Sequence, residues 1–220
     1  MKFLIDSADT AAIRRLNGLL PIEGVTTNPS IVARTRREPY SVFREIKDIL
    51  QDKPLFVETL GRTGDEIVEE AGRIVSKLGK DTVIKIPVSP EGLSAIKRLA
   101  QDGYITCATA VFTLSQALLA GRAGARYVAP YVNRISDKGN DGVAVTASIG
   151  EAFRKYGIEC TVVGASFKNV RQVEDLSRLG VDSVTLPVDI FDKIINVEGT
   201  EEAIVKFEKD WETLGFGKSL

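Results

Sequence analysis

A lysine inside an apolar, strand-like run is the residue that most asks for a chemical explanation. Lys85 sits in Val83-Ile84-Lys85-Ile86-Pro87-Val88. Strand alternation puts Val83, Lys85 and Pro87 on one face and Ile84, Ile86 and Val88 on the other. Desolvation favours the neutral form of a buried lysine, and a cation such as Arg134 would push the same way. A neutral amine attacks a ketone. The Schiff base so formed is an electron sink, so the adjacent carbon–carbon bond can break and leave an enamine. The alternative is a lysine that reaches the rim, or pairs with Glu58 or Asp6 for structure only. Spacing leaves both open.

Such chemistry needs a group to move the proton of the cleaved hydroxyl. The chain has no histidine, which removes Ser-His-Asp and Cys-His catalysis and the imidazole sites of most zinc enzymes. The available carboxylates are Asp6 and Glu58, and the available hydroxyls are Thr109 and Tyr131. A capping aspartate, a surface glutamate and two core-edge residues are the plainer readings. Arg134, Ser166 and Lys168 form a second group, suited to a phosphate at a helix N-terminus. They could equally be ordinary solvated residues. Arg171 is expected on a helix surface. No metal and no cofactor is called for.

These residues need elements that bring them together. Apolar runs occur at 2–6, 22–26, 54–58, 82–87, 104–111, 126–132, 159–165 and 182–187. Several are apolar on both faces, as in a parallel sheet covered on both sides. Between them lie segments of helical period, such as Ile67, Ala71, Ile74 and Leu78, or Val173, Leu176 and Leu179 with Gly180 as a C-terminal cap. Eight strand–helix units predict a (β/α)8 TIM barrel over 1–220 as a single domain. Ile204, Phe207, Trp211 and Leu214 mark an extra terminal helix over about 199–215. The competing doubly wound sheet lacks its glycine fingerprint after the first run, Ile5-Asp6-Ser7-Ala8-Asp9. In a barrel the site lies at the C-terminal strand ends. Asp6, Thr26 to Asn28, Glu58, Lys85, Thr109, Tyr131 to Arg134, and Ser166 to Lys168 all lie at such ends.

The bulk numbers exclude several classes. A net charge of −1 gives no basic field for nucleic acid or an anionic membrane. No apolar run approaches the ~20 residues needed to span a bilayer. The start Met1-Lys2-Phe3-Leu4-Ile5-Asp6 meets an acid too early for a signal peptide, so a cytoplasmic location is expected. Cys107 and Cys160 lie in apolar runs and read as buried thiols.

Four segments together resemble the transaldolase family, in particular its small members that include fructose-6-phosphate aldolases. They are Gly24-Val25-Thr26-Thr27-Asn28-Pro29-Ser30, Val83 to Val88, Tyr127-Val128-Ala129-Pro130-Tyr131-Val132-Asn133-Arg134, and Ala165-Ser166-Phe167-Lys168. The resemblance spans essentially the whole chain. It implies that Lys85 is the Schiff-base lysine and that Asp6 handles the proton of the sugar hydroxyl. Glu58 and Thr109 would hold the catalytic water. Thr26 and Asn28 would line the site, with Asn28 and Ser166 near the dihydroxyacetone unit. Arg134 and Ser166 would bind phosphate, with Lys168 nearby. It also implies sugar-phosphate substrates and a homo-oligomer, pentameric or decameric, in which the terminal helix could pack. Tyr131 marks the aldolase branch, where transaldolases have phenylalanine. Glu58 marks the transaldolases of the pentose phosphate pathway, where the aldolase branch has glutamine. The other segments lean to the aldolase. A barrel that binds sugar phosphates without chemistry is the reading from another class.

Overall fold

The computed structural model describes residues 1–213. Eight parallel strands close into a barrel in sequence order, with β1 hydrogen-bonded to both β2 and β8. They are β1 (Lys2–Asp6), β2 (Ile22–Thr26), β3 (Leu55–Glu58), β4 (Val83–Pro87), β5 (Thr106–Val111), β6 (Tyr127–Pro130), β7 (Thr161–Gly164) and β8 (Ser183–Leu186). Closure excludes the open doubly wound sheet. Helices α1 (Thr10–Leu19), α2 (Pro29–Arg34) and α3 (Pro39–Leu50) follow the first two strands. Next come α4 (Gly64–Leu78), α5 (Pro90–Gln101), α6 (Leu114–Arg122), α7 (Val132–Ser136) and α8 (Gly142–Tyr156). The last are α9 (Val170–Arg178), α10 (Val188–Ile195) and α11 (Glu198–Glu212).

The alternation read from the sequence sorts the core into two layers. Leu4, Phe56, Val83, Cys107, Ala129, Val163 and Ala165 pack together inside the barrel. Ile5, Val25, Val57, Ile84, Ile86 and Val128 face the helices. Lys85 shares the inner face with Val83 and is buried. An apolar inner layer therefore fills the middle of the barrel, and Asp6, Thr26, Glu58, Lys85 and Thr109 lie toward the strands' C-terminal ends.

The junctions above those ends are fixed by caps. Asp9, Asn28, Thr63, Ser89, Thr113 and Asn169 each accept a hydrogen bond from the first turn of the next helix. These caps start each helix directly after its loop. Gly180, with φ of +68°, follows α9 as the expected C-terminal punctuation.

Three short helices escape the periodicity reading. α2, α7 and α10 have six, five and eight residues, too few to show a period. Asn28 with Pro29 starts α2. The sixth run leaves the sheet at Pro130, where Tyr131 keeps only an isolated bridge to Ala165. Arg134 consequently sits on α7, not on a strand. Gly142 allows α8 to pack tightly against α7, since a Cβ there would run into the Val132 carbonyl.

The terminal helix α11 is present, and none of its residues is fully buried among the described residues. Ile204, Val205 and Phe207 are exposed on it. Leu214, assigned to this helix from its spacing, lies outside the described residues.

Candidate active site

Strand register brings the floor of the site together. Asp6 pairs with Thr26, Glu58 with Lys85, and Lys85 with Cys107. Lys85 Nζ donates to the Thr27 carbonyl at 2.7 Å and lies 3.2 Å from Glu58 Oε2. That second contact has the distance of an ion pair without the angles of a hydrogen bond, so Glu58 Oε2 is buried with a charge beside it and no donor aimed at it. Asp6 Oδ1 accepts from Thr26 Oγ1 at 2.8 Å, and Thr26 Oγ1 lies 2.7 Å from Thr185 Oγ1.

The charges on the floor differ from the sequence expectation. Burial alone would favour a neutral Lys85. The carboxylates of Glu58 and Asp6 outweigh that burial, so the Lys85 pKa lies above the usual lysine value. The charges that act on it most strongly are those carboxylates, not Arg134. The resting amine is a held ammonium, because the nearest charges are carboxylates and not the arginine. For Asp6 the balance runs the other way. Burial pushes its carboxyl up, against the opposing pull of Lys85, the Thr26 hydrogen bond and Arg134. Cys107 lines the same space, and burial raises its thiol to about 12, which leaves it protonated and unreactive.

Thr109 Oγ1 donates to Tyr131 Oη at 3.1 Å. The tyrosine keeps its own proton to donate elsewhere. Its ring is held between Phe112, edge-on at 5.9 Å, and the Arg134 guanidinium at 4.7 Å. A bulge in β5, with Ala110 at φ +54°, shifts the strand's register beside Thr109.

A cavity of about 250 Å³ opens above this floor. Asp6, Thr26, Asn28, Lys85, Tyr131, Arg134, Ser166 and Lys168 all line it. Eight of the ten residues singled out from sequence thus share one space. Glu58 and Thr109 do not line it; they reach it through Lys85 and Tyr131. Ser166 holds a left-handed φ of +63°, a conformation costing an L-residue roughly 1–2 kcal/mol. Its carbonyl accepts from Asn133 N, tying the end of β7 to α7. Arg171 lies outside, paired with Asp175 on the surface of α9.

The wall also holds residues that the sequence reading passed over. Arg34 projects from α2, and Thr185 from β8. The eighth strand was the one for which no polar residue was named, although its alternation puts Ser183 and Thr185 inward. Arg34 went unread because α2 is too short to show a period. With it the cavity has four cations, Arg34, Lys85, Arg134 and Lys168, against the single carboxylate of Asp6. In a chain of net charge −1 this is a local field for an anion.

Among the described residues no group of three or more Cys, Asp or Glu side chains is placed to hold a metal ion. Nor is any helix there long and apolar enough to cross a membrane.

The fold has known counterparts. Thiamine phosphate pyrophosphorylase from Pyrococcus furiosus superposes with a TM-score of 0.56 at 17% identity, over 84% of each chain. At that identity the likeness concerns the barrel alone. Family-level comparison is more specific. The model describing transaldolase/fructose-6-phosphate aldolase matches residues 3–217, which takes in β1 from Phe3 onward, every other strand and every cavity residue named above. The chain belongs to the transaldolase/fructose-6-phosphate aldolase family.

Proposed function

We propose that this protein is a Schiff-base aldolase that reversibly cleaves fructose 6-phosphate to dihydroxyacetone and glyceraldehyde 3-phosphate. Lys85 first gives up a proton to water, against the hold of the Glu58 carboxylate at 3.2 Å. The neutral amine adds to the C2 ketone, and loss of water leaves an iminium. The oxygen of Asp6 that Thr26 does not hold takes the proton of the C4 hydroxyl. The C3–C4 bond breaks, its electron pair neutralises the iminium as an enamine, and the aldehyde leaves. Protonation at C3 restores the iminium. Water then adds to C2, dihydroxyacetone departs, and Lys85 regains its protons. Arg134, Ser166 and Lys168 hold the phosphate, while Asn28 and Ser166 face the three-carbon unit.

The observation that carries the aldolase reading is the Thr109–Tyr131 hydrogen bond at 3.1 Å. It leaves a tyrosine proton free beside the lysine to orient the water that releases dihydroxyacetone. The Glu58–Lys85 contact favours a second reading. In that reading the protein is a transaldolase, and the enamine waits for a phosphorylated aldehyde. The deciding experiment is release of glyceraldehyde 3-phosphate from fructose 6-phosphate, with and without erythrose 4-phosphate. Sustained release without the acceptor is expected; release only with it would establish the transaldolase. Lys85→Ala should lose borohydride trapping of substrate and at least about 10³-fold in turnover. A trapped adduct on that variant would defeat both readings.

The assembly we propose is a pentamer or decamer. Ile204, Phe207 and Trp211 share one face of α11, on which none is fully buried by the described residues and Ile204 and Phe207 are exposed. A second copy is the proposed partner, and light scattering tests it. A cytoplasmic location goes with two buried, unpaired thiols.

A further inference from the structure

The general base assigned above does not stand alone. Thr26 Oγ1 touches two oxygens, Asp6 Oδ1 at 2.8 Å and Thr185 Oγ1 at 2.7 Å. A threonine hydroxyl has one proton and two lone pairs. An ionised carboxylate can only accept, so the Thr26 proton is committed to Asp6. The contact with Thr185 must then be Thr185 donating to Thr26. The chain of hydroxyls has a direction, and it starts on β8.

Thr185 is 2% exposed and pairs with Leu4 in the β1–β8 register. Its register partner Leu4 is apolar, and a valine would fill the same space. A buried hydroxyl is costly without a partner, and this one has Thr26. Among the described residues Asp6 Oδ1 takes the Thr26 hydrogen bond, and no bond is seen to Oδ2. Holding Oδ1 fixes which oxygen faces the cavity.

We propose that Thr185 is a positioning residue for catalysis: by donating to Thr26 it locks the Thr26 proton onto Asp6 and presents the other Asp6 oxygen to the substrate hydroxyl. The proposal rests on the reading of Asp6 as the proton-handling group. Lys85 on β4 and Arg134 on α7 also favour the ionised carboxylate. Arg34 on α2 and Lys168 beyond β7 line the same cavity. Glu58, Tyr131 and Cys107 act on Lys85 in turn. The hydroxyl chain adds to these charges a fixed direction, which charges at longer range do not supply.

The experiment compares Thr185→Val and Thr185→Ser with the unaltered protein in a pH–rate profile for glyceraldehyde 3-phosphate release. Valine keeps the shape and removes the hydroxyl; serine keeps the hydroxyl. We expect the valine variant to lose about 3- to 10-fold in kcat with KM unchanged. Its acid limb should move up by about half a pH unit, since the carboxylate loses support. Serine should restore the limb. Borohydride trapping of dihydroxyacetone on Lys85 should be the same in all three, because forming that adduct needs no sugar hydroxyl to be deprotonated. An unmoved limb and full turnover in Thr185→Val would overturn the proposal. Equal losses in both variants, with trapping lost too, would also overturn it by showing that packing was the cause. Absence of trapping and cleavage in the unaltered protein would sink the reading of the whole site, and Thr185 with it.

Discussion

The floor of the cavity and its rim are made from different parts of the barrel. Asp6, Thr26, Lys85 and Thr185 come from β1, β2, β4 and β8. All but Asp6 are at most 5% exposed, and hydrogen bonds or an ion pair fix each of them. Arg34 and Arg134 come from short helices, and Ser166 and Lys168 from the loop after β7. The three cations of that rim are exposed. Reacting groups must be held within a fraction of an ångström, and strands do that better than loops. A phosphate needs charge more than exact placement, and an exposed cation carries less desolvation cost. The two regions should therefore fail differently: damage to the floor should show in kcat, and damage to the rim in KM.

The largest effect tests the floor. Asp6→Asn should lower kcat about 10²- to 10⁴-fold with little change in KM. It should also stabilise the fold at neutral pH. The Asp6 pKa is raised on folding, so its contribution to stability is complete below its ordinary value and is lost as pH rises through the raised one. Above the raised pKa the native protein bears an ionised carboxylate that its site disfavours, and the asparagine variant does not. Melting temperatures at pH 8 should thus be higher for Asp6→Asn, with the gap narrowing toward low pH. A variant that melts lower at pH 8 would mean that the carboxylate supports the fold.

A smaller effect tests the rim. Charged hydrogen bonds contribute about 1.5–3 kcal/mol, so Arg134→Ala should raise KM for fructose 6-phosphate roughly 10- to 100-fold. Condensation of dihydroxyacetone with an unphosphorylated aldehyde should hardly change. If kcat falls instead, the guanidinium stacked on Tyr131 at 4.7 Å is positioning that ring, and the division between floor and rim breaks down at this residue.

Within both floor and rim the sequence announced some residues and hid others. Lys85 was legible because a lysine in a two-sided apolar strand has few places to go. Its neighbours followed from the rule that barrel sites lie at strand ends. Thr185 was not, because a threonine in a strand is ordinary and only a hydrogen bond to Thr26 distinguishes it. Arg34 was hidden by a six-residue helix. The charge of Lys85 was misread because burial was visible in the sequence, whereas the 3.2 Å approach of Glu58 depends on the register of β3 against β4. The barrel itself was the most readable level, since eight repeats reinforce one another and no single hydrogen bond decides the outcome.

That misreading suggests the finest test of the floor. Burial lowers the Lys85 pKa and Glu58 raises it more strongly than any other group does. Glu58→Gln keeps the shape and removes the charge, so the Lys85 pKa should fall. At a fixed pH below that pKa, each unit of fall gives up to tenfold more neutral amine. Single-turnover trapping of dihydroxyacetone at pH 7 should become several-fold faster, with its pH profile displaced downward. Release of the three-carbon unit should persist in this variant if Tyr131 orients the water, and should slow sharply if the Glu58 carboxylate does so. The same substitution thus measures the charge on the lysine and weighs Glu58 against Tyr131. A trapping profile that stays in place would mean that Asp6 and the Thr27 carbonyl hold the ammonium without help from Glu58.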